Sequence, residues 1–253
     1  MEKVIRKQLL YRTGVEYGDY ALNHVLGCAH GCRYPCYAFL MNKRFRNITY
    51  EDWTKPKIVE NAIELLEKEL PKLKGKVRYI NMCFATDPFM YNRPEVVKLS
   101  CDVIAFINSH GIPVRTLTKG VYTLDVAKVS NHPENSFGIT LVSLSEKFRQ
   151  KYEPNTAPAN ERLKSLFAMH MCGFKTWVSI EPYPTPNIIE QDIEELLESI
   201  SFVNRIVFGR WNYGKLNYPK PDQFYREMAL KVLEFGEKKG IEVVIKKEVE
   251  NVR

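Results

Sequence analysis

Three cysteines lie within nine residues of the sequence, at Cys28, Cys32 and Cys36, in a C-x3-C-x3-C pattern. Three thiolates so close together, with no fourth cysteine nearby, are able to bind three irons of a [4Fe–4S] cluster and leave the fourth iron open. An open iron is a reactive position. The spacing therefore favours catalysis over passive electron storage.

Two alternatives to this cluster follow from the same residues. A zinc site normally needs a fourth Cys or His ligand, and His30 lies inside the same loop. Three thiols that bind no metal are the second alternative. A disulfide is disfavoured, because neighbouring cysteines in a chain without a secretory signal rarely pair.

Composition limits the class of protein. The 253-residue chain contains 45% hydrophobic residues, which is enough for a sizeable buried core. Its formal net charge of +7 favours acidic partners such as nucleic acid, although a solvated lysine-rich surface explains the same excess. No apolar run approaches the roughly 18 residues of a membrane span, and the first residues lack the apolar core of a secretory signal. We therefore expect a cytoplasmic protein with reduced cysteines.

Strand-like and helix-like segments alternate along the chain. Predicted strands, rich in β-branched and aromatic residues, cover 20–26, 77–84, 114–118, 138–142, 176–180, 205–208 and 241–245. Predicted helices, with apolar residues at helical spacing, cover 58–70, 95–109, 124–129, 159–172, 188–200 and 224–239. This alternation is typical of a parallel sheet. It predicts one domain, 1–253, with a leader strand or arm at 1–19 and an open or partial barrel.

Polar residues follow several of these strands at their carboxyl ends. The set includes Cys83, Thr86, Asp87, Lys119, Thr140 and Ser179. Because reactive groups of parallel α/β folds gather at this edge, the set predicts one polar pocket that faces the cysteine loop. Each residue taken alone has an alternative as an ordinary cap or turn former.

The sequence resembles the radical S-adenosylmethionine superfamily, and within it the spore photoproduct lyase-like group. Five motifs carry the resemblance, in the same order along the chain: Gly27 to Tyr37 with its three cysteines, Thr86-Asp87-Pro88, Thr118-Lys119-Gly120, Tyr152-Glu153-Pro154 and Glu161-Arg162-Leu163. The resemblance implies a partial (β/α)6 TIM-type barrel, with parallel strands and the cluster loop after the first strand. It also implies a [4Fe–4S] cluster and S-adenosylmethionine as cofactors.

The resemblance assigns functions to single residues. Thr86 and Asp87 are expected to hold the amino end of the methionine moiety, and Lys119 its carboxylate. Thr140 and Ser179 are expected to bond the ribose or the methionine. Tyr37 is expected to lie against the cluster and the cofactor.

Three departures from the family pattern stand out. The superfamily usually has C-x3-C-x2-C, whereas Pro35 adds one residue before the third cysteine. The lyases have a hydrogen-donating cysteine just before their Ser-Asp pair. Cys83 lies near that place but too early in the chain, so it is either such a donor or a small buried hydrophobic residue. The C-terminal part, from about 205 to 253, diverges from the lyases.

The resemblance thus implies an enzyme that reductively cleaves S-adenosylmethionine to a 5′-deoxyadenosyl radical, with an electron donor such as ferredoxin or flavodoxin. Nucleic acid or a nucleotide is a candidate substrate, because the net charge is positive and Arg210 to Tyr213 have the residue types that stack on and clamp a base. The alternative for this stretch is a packed corner of the barrel. Lys43 to Arg46 likewise contact a polyanion or form a solvated turn. The alternatives are a non-catalytic iron–sulfur or zinc module that engages nucleic acid, and cluster-dependent methyl transfer.

Overall fold

The computed structural model of the protein describes residues 1–14, 19–34, 36–73, 75, 77–83, 85–212 and 216–250. The strands are β1 (Glu2–Val4), β2 (Leu10–Arg12), β3 (Tyr20–Leu22), β4 (Val25–Leu26), β5 (Lys57–Val59), β6 (Ile80–Met82), β7 (Val114–Thr118), β8 (Ser136–Thr140), β9 (Lys175–Tyr183), β10 (Arg205–Arg210) and β11 (Glu242–Ile245). The helices are α1 (Tyr37–Arg46), α2 (Tyr50–Trp53), α3 (Ala62–Glu69), α4 (Pro94–Ser109), α5 (Leu124–Val129), α6 (Glu146–Tyr152), α7 (Ala159–Met171), α8 (Ile193–Ser199), α9 (Pro221–Lys239) and α10 (Lys247–Glu250).

The main sheet has eight strands in the order β11-β10-β9-β8-β7-β6-β3-β2. All neighbouring pairs are parallel except β2 with β3, so β2 is an antiparallel edge strand. Within this sheet, β3, β6, β7, β8, β9 and β10 are each separated from the next strand by at least one helix. Each of them pairs in parallel with that next strand. A doubly wound sheet reverses its strand order, and this one does not. The α/β partial-barrel prediction is confirmed: six βα units form an open sheet that ends with β11.

The two faces of the sheet differ in polarity. Ile80, Met82, Val178 and Ile180 pack in one apolar core together with residues of α3, α4, α7, α8 and α9. Successive side chains of a strand point to opposite faces, so the residues between them lie on the inner face, away from the helices. The inner face carries several polar residues, among them Asn81, Thr140 and Ser179.

The segment between β3 and α3 differs from the prediction. The predicted strand 20–26 is broken, because β3 ends at Leu22 and β4 joins a second, three-stranded sheet of order β1-β5-β4. The first residues of the predicted helix 58–70 are strand β5, since the β-branched Ile58 and Val59 pair with Lys3 and Val4 of β1. The leader 1–19 contains the predicted strand structure, as β1 and β2.

Other boundaries shift for identifiable reasons. The predicted helix 188–200 begins only at Ile193, because the Asp192 carboxylate caps it by accepting a hydrogen bond from Glu194 N. The basic segment Lys43 to Arg46 is the end of helix α1, not a turn. In the part of the chain that the structure describes, no helix combines the length and the apolar character that crossing a membrane requires. The limits of the predicted single domain stay a prediction.

Candidate functional site

The cysteine loop leaves β4 through a glycine that no other residue could replace without strain. Gly27 has φ +78, and a Cβ atom there would lie 2.6 Å from the carbonyl oxygen of Trp53. That oxygen accepts a 2.8 Å hydrogen bond from Cys28 N. Gly31 has φ +58, which like that of Gly27 lies in the left-handed region that favours glycine. Two glycines therefore let the loop turn tightly around its first two cysteines.

The loop is anchored by hydrogen bonds from distant parts of the chain. The Asn155 amide donates to the Ala29 carbonyl at 3.2 Å. Arg33 N donates to the Tyr152 carbonyl, at the end of α6, at 2.8 Å. These bonds join the loop after the first barrel strand to the segment after the fourth. The loop conformation is thus held by contacts with distant parts of the chain.

His30 has hydrogen bonds at both ring nitrogens. Its Nε2 accepts a 2.9 Å hydrogen bond from Tyr91 N, so the proton of the neutral ring is assigned to Nδ1. Nδ1 lies 3.4 Å from Asp87 Oδ2. Because both nitrogens are engaged and the ring is buried, the geometry disfavours His30 as the fourth ligand of a zinc ion.

Asp87 connects the loop to the ends of two strands. Oδ1 accepts hydrogen bonds from Phe89 N at 2.9 Å and Thr118 Oγ1 at 2.6 Å, and Oδ2 accepts one from Lys119 N at 2.9 Å. Burial raises the pKa of Asp87, but His30 and these hydrogen bonds outweigh it and lower the pKa, so the carboxylate is ionised at neutral pH. With His30 included, four protein groups occupy its lone pairs.

These contacts bear on the predicted functions of Thr86 and Asp87. The Thr86 hydroxyl donates a short hydrogen bond to the carbonyl of Gly27. Both residues therefore hold the cysteine loop in this structure. Their contact with a methionine amino group stays a prediction. For Asp87 this contact requires displacement of one of the protein groups that donate hydrogen bonds to its carboxylate.

Lys119 lies at the end of β7 among acidic groups. Burial acts to lower its pKa, but electrostatic interactions with Cys32, Glu153 and Cys36 outweigh it and raise the pKa. The ammonium lies 5.6 Å from the ring centroid of Tyr34, and no described residue accepts a hydrogen bond from it. Lys119 is thus a positive charge beside the cysteines that is free to bind an anionic group.

A buried ion pair between Glu153 and Arg162 holds the hydroxyl of Tyr34. The Tyr34 hydroxyl donates to Glu153 Oε1 at 3.0 Å, and Arg162 Nη2 donates to Glu153 Oε2 at 2.8 Å. Arg162 also donates to the carbonyls of Ala157 at 2.7 Å and Thr140 at 2.9 Å. The sequence motifs around Glu153 and Arg162 are therefore one structural unit, which fixes the middle of the cysteine loop.

The donor set of the loop fits an iron–sulfur cluster. Cys28, Cys32 and Cys36 are free thiols. Burial and nearby negative charges raise the pKa of Cys28, and burial likewise raises that of Cys32 to about 12. Bound iron would replace these protons, because the thiolate is the metal ligand. Among the described residues, no three His, Cys, Asp or Glu side chains converge as a single metal ion requires. Pro35 lies outside the described residues.

Three polar residues line the inner face beside the loop. Thr140 and Ser179 are partners in the β8–β9 register, and each lies between two residues of the apolar core. Asn81 occupies the same kind of position on β6. Its Nδ2 is buried and has no hydrogen-bond partner among the described residues. A buried amide donor without a partner is costly, which is consistent with a ligand that accepts its hydrogen bond.

Cys83 does not share this inner face. Its φ of 56 is rare for a residue other than glycine, and it turns the thiol toward Val25, Ala29 and Val96. The sulfur lies 3.4 Å from His24 Nδ1, and burial raises the pKa of the thiol. This buried position favours the structural alternative for Cys83, and its function as a hydrogen donor stays a prediction.

The aromatic residues near the loop differ in exposure. Tyr37 begins α1 and is 36% exposed, whereas the buried Tyr34 faces Lys119. Trp211 packs against Tyr34 and Tyr152, with ring centroids 5.4 Å and 5.9 Å away. The packing of Trp211 therefore favours the packed-corner alternative for this stretch. Tyr213 lies outside the described residues.

Cavity size does not identify this site. A wide cavity of about 480 Å³ is lined by residues near the N-terminus and the start of α4, and it contains none of the predicted site residues. The sequence missed the contacts of His30, Tyr34 and Asn155.

Comparison with known proteins now defines the class. The family model of the Radical SAM superfamily matches residues 22–200. The chain belongs to this superfamily. Among curated proteins, ORF301 of Acidianus two-tailed virus is 28% identical over 200 residues, which cover 74% of this chain and 64% of that protein. The match thus spans less than two thirds of the viral relative.

Solved structures support the same fold. Spore photoproduct lyase complexed with dinucleoside spore photoproduct has a TM-score of 0.70 at 14% identity, and the match covers 96% of this chain and 80% of that one. A mutant lyase with bound AdoMet and dinucleoside spore photoproduct has a TM-score of 0.71 at 13% identity and the same coverage. SuiB of Streptococcus suis, bound to S-adenosylmethionine, has a TM-score of 0.54 at 10% identity over 73% of this chain and 42% of that one.

Proposed function

We propose that this protein is a radical S-adenosylmethionine enzyme whose Cys28, Cys32 and Cys36 hold a [4Fe–4S] cluster. The observation that carries the proposal is the position of these thiols beside the Lys119 ammonium, which has no hydrogen-bond acceptor among the described residues. When bound, the cluster and S-adenosylmethionine together supply reductive cleavage of the sulfonium to a 5′-deoxyadenosyl radical. The protein's own contribution is to bind, orient and shield these groups.

Each predicted residue then has a place in the binding of S-adenosylmethionine. Lys119 neutralises the methionine carboxylate, because a charge-assisted hydrogen bond is strong where water is scarce. Thr140 and Ser179 present hydroxyls from neighbouring strands to the ribose or the methionine. Thr86 and Asp87 contact the amino end of the methionine moiety once the loop rearranges on binding. Tyr37 lies against the cluster and the cofactor.

The substrate we propose is a nucleotide or nucleic acid. The dinucleoside photoproduct named with the lyase supports it, as does the net charge of +7. The packing of Trp211 disfavours one predicted base-stacking surface. Whether Cys83 donates hydrogen to such a substrate depends on exposure of its thiol. A reductant of low potential, such as ferredoxin or flavodoxin, completes the reaction.

Anaerobic reconstitution tests the proposal against the non-catalytic alternatives. We expect a brown protein with about four irons per chain, which releases 5′-deoxyadenosine when S-adenosylmethionine and dithionite are added. Colourless protein with one tightly bound zinc would contradict the proposal. S-adenosylhomocysteine as the main product would indicate methyl transfer instead.

Lys119→Met is expected to weaken S-adenosylmethionine binding by about 10- to 150-fold, the range for loss of one hydrogen bond to a charged group. Equilibrium dialysis with reconstituted protein measures this, with iron content matched between samples. Lys151→Met, which removes an exposed lysine on α6, is the control and should bind as the wild type does. Equal affinity of the Lys119 variant would show that the carboxylate is bound elsewhere.

A further inference from the structure

Helix α1 begins directly after the third cysteine of the loop. Cys36 is its N-cap residue, and none of its ten residues is buried. Its Phe39 ring contacts the rings of Tyr50 and Trp53 of α2. The helix thus lies on the surface with its first turn at the proposed cluster.

The last turn of α1 carries positive charge that the protein does not neutralise. It contains Lys43, Arg44 and Arg46, and the helix has no acidic residue. None of these three side chains forms a salt bridge with a described residue, and we call them the basic end of α1. Burial and the charge of Arg46 lower the pKa of the nearby Arg6, so the surroundings add to the positive charge.

Several surface cations elsewhere in the protein form salt bridges. Lys55 with Glu51 and Lys98 with Asp102 form salt bridges one turn apart within a single segment. Lys231 of α9 pairs with Glu194 of α8. The basic end of α1 instead gathers three cations within four residues, and none of them has a salt-bridge partner among the described residues.

An exposed aromatic ring lies among these cations. Phe45 is 68% exposed, and the Arg44 guanidinium lies 5.5 Å from its ring centroid. An apolar side chain surrounded by charge resembles the centre and rim of a protein–protein interface. Aromatic and arginine residues are the types that most often dominate binding energy there.

We propose that α1 is the docking surface for an acidic protein that donates single electrons to the cluster held by Cys28, Cys32 and Cys36. The inference rests on the proposed function, since without a cluster the electron has no acceptor. At 1.5 Å per residue, Phe45 lies about 13.5 Å along the helix from Cys36. In each transfer the donor protein loses one electron and the cluster gains it, and no bond forms or breaks.

Position favours this partner over nucleic acid. A nucleic-acid substrate must reach the inner face of the sheet, where Thr140 and Ser179 lie. Helix α1 begins at Cys36 of the loop and packs on α2 through Phe39, and its basic end lies at the surface. Weak redox encounters use small interfaces, below about 1,200 Å². A helix about 15 Å long, with complementary charge, suits an encounter of that size.

The experiment compares the Lys43→Glu/Arg44→Glu double variant with the wild type. The probe is a flavodoxin of net negative charge, and its affinity for reconstituted enzyme is measured by calorimetry at two salt concentrations. Formation of 5′-deoxyadenosine is then followed with reduced flavodoxin and, separately, with dithionite. Lys164→Glu/Lys238→Glu, on exposed positions of α7 and α9, makes the same charge change away from α1 and is the matched control.

We expect the α1 variant to bind flavodoxin at least about tenfold more weakly, with less salt dependence, and to keep its rate with dithionite. The control should match the wild type in both assays. Unchanged flavodoxin affinity and rate in the α1 variant would overturn the inference. So would a variant that keeps flavodoxin binding but loses affinity for labelled single-stranded DNA. Wild-type enzyme that is inactive with dithionite would instead contradict the proposed function, and flavodoxin affinity would still decide whether α1 is the docking surface.

Discussion

Cys32→Ala is expected to abolish both iron–sulfur assembly and the formation of 5′-deoxyadenosine. Cys32 is one of three thiols in the loop, and a cluster with one open iron needs all three ligands. The alanine variant should therefore lose the brown colour and fall at least about a thousandfold in product formation, since little catalysis remains without the metal. Iron content and 5′-deoxyadenosine are measured after anaerobic reconstitution.

Cysteines outside the loop provide the control for this experiment. Cys172 is exposed at the end of α7, and its replacement by alanine should leave iron content and product formation unchanged. Cys28→Ala and Cys36→Ala should behave as Cys32→Ala does. Full activity of any of the three loop variants would show that another residue is the ligand.

Arg162→Met is expected to lower the free energy of unfolding by about 3–5 kcal/mol, because it leaves the Glu153 carboxylate charged and buried without its main partner. Both side chains of the pair are about 97–98% buried. For a chain of this length the loss corresponds to a decrease in Tm of about 6–20 °C. Thermal unfolding followed by circular dichroism measures it.

A second substitution separates the loss of the pair from the loss of packing. Glu153→Gln/Arg162→Met removes the stranded charge and should recover part of the stability. Arg205→Met, which breaks the exposed pair with Glu242, is the control and should cost about 1 kcal/mol or less. An Arg162→Met protein as stable as this control would refute a structural function for the buried pair.

The pH dependence of stability gives an independent check on the same pair. Burial raises the pKa of Glu153, but Arg162 and Lys119 outweigh it and lower the pKa. A carboxyl group whose pKa is lowered by folding contributes stability above its ordinary pKa and loses it as the pH falls. Wild-type protein should therefore lose more stability on acidification than the double variant.

The sequence predicted the fold well, for a simple physical reason. Apolar periodicity and motif order are local properties, and they indicated the alternation of strands and helices and the partial barrel. The carboxyl ends of parallel strands must share one edge, so the sequence alone predicts that Lys119 and Asp87 lie near the cysteine loop. The segment 114–118 was predicted with its observed bounds.

What the sequence could not predict depends on contacts across long stretches of chain. The left-handed φ of Cys83 turns its thiol away from the inner face, and no local pattern indicates a positive φ in a residue other than glycine. The bonds of His30 to Asp87 and Tyr91 need two segments that only the folded sheet brings together. Helix α1 was missed because none of its residues is buried, so it lacks a clear apolar stripe.

The anchoring of the cysteine loop has a consequence for the order of events during synthesis. Asn155 and Glu153 follow their loop partners, Ala29 and Tyr34, by 126 and 119 residues. The loop therefore cannot reach its final shape while only the first half of the chain has left the ribosome. Contacts of such large sequence separation form slowly, since a long loop must close first. Before this closure, the three cysteines lie on a flexible segment of the chain that does not hold them in position to bind a cluster. We therefore expect iron delivery to follow the folding of the fourth barrel strand, β8.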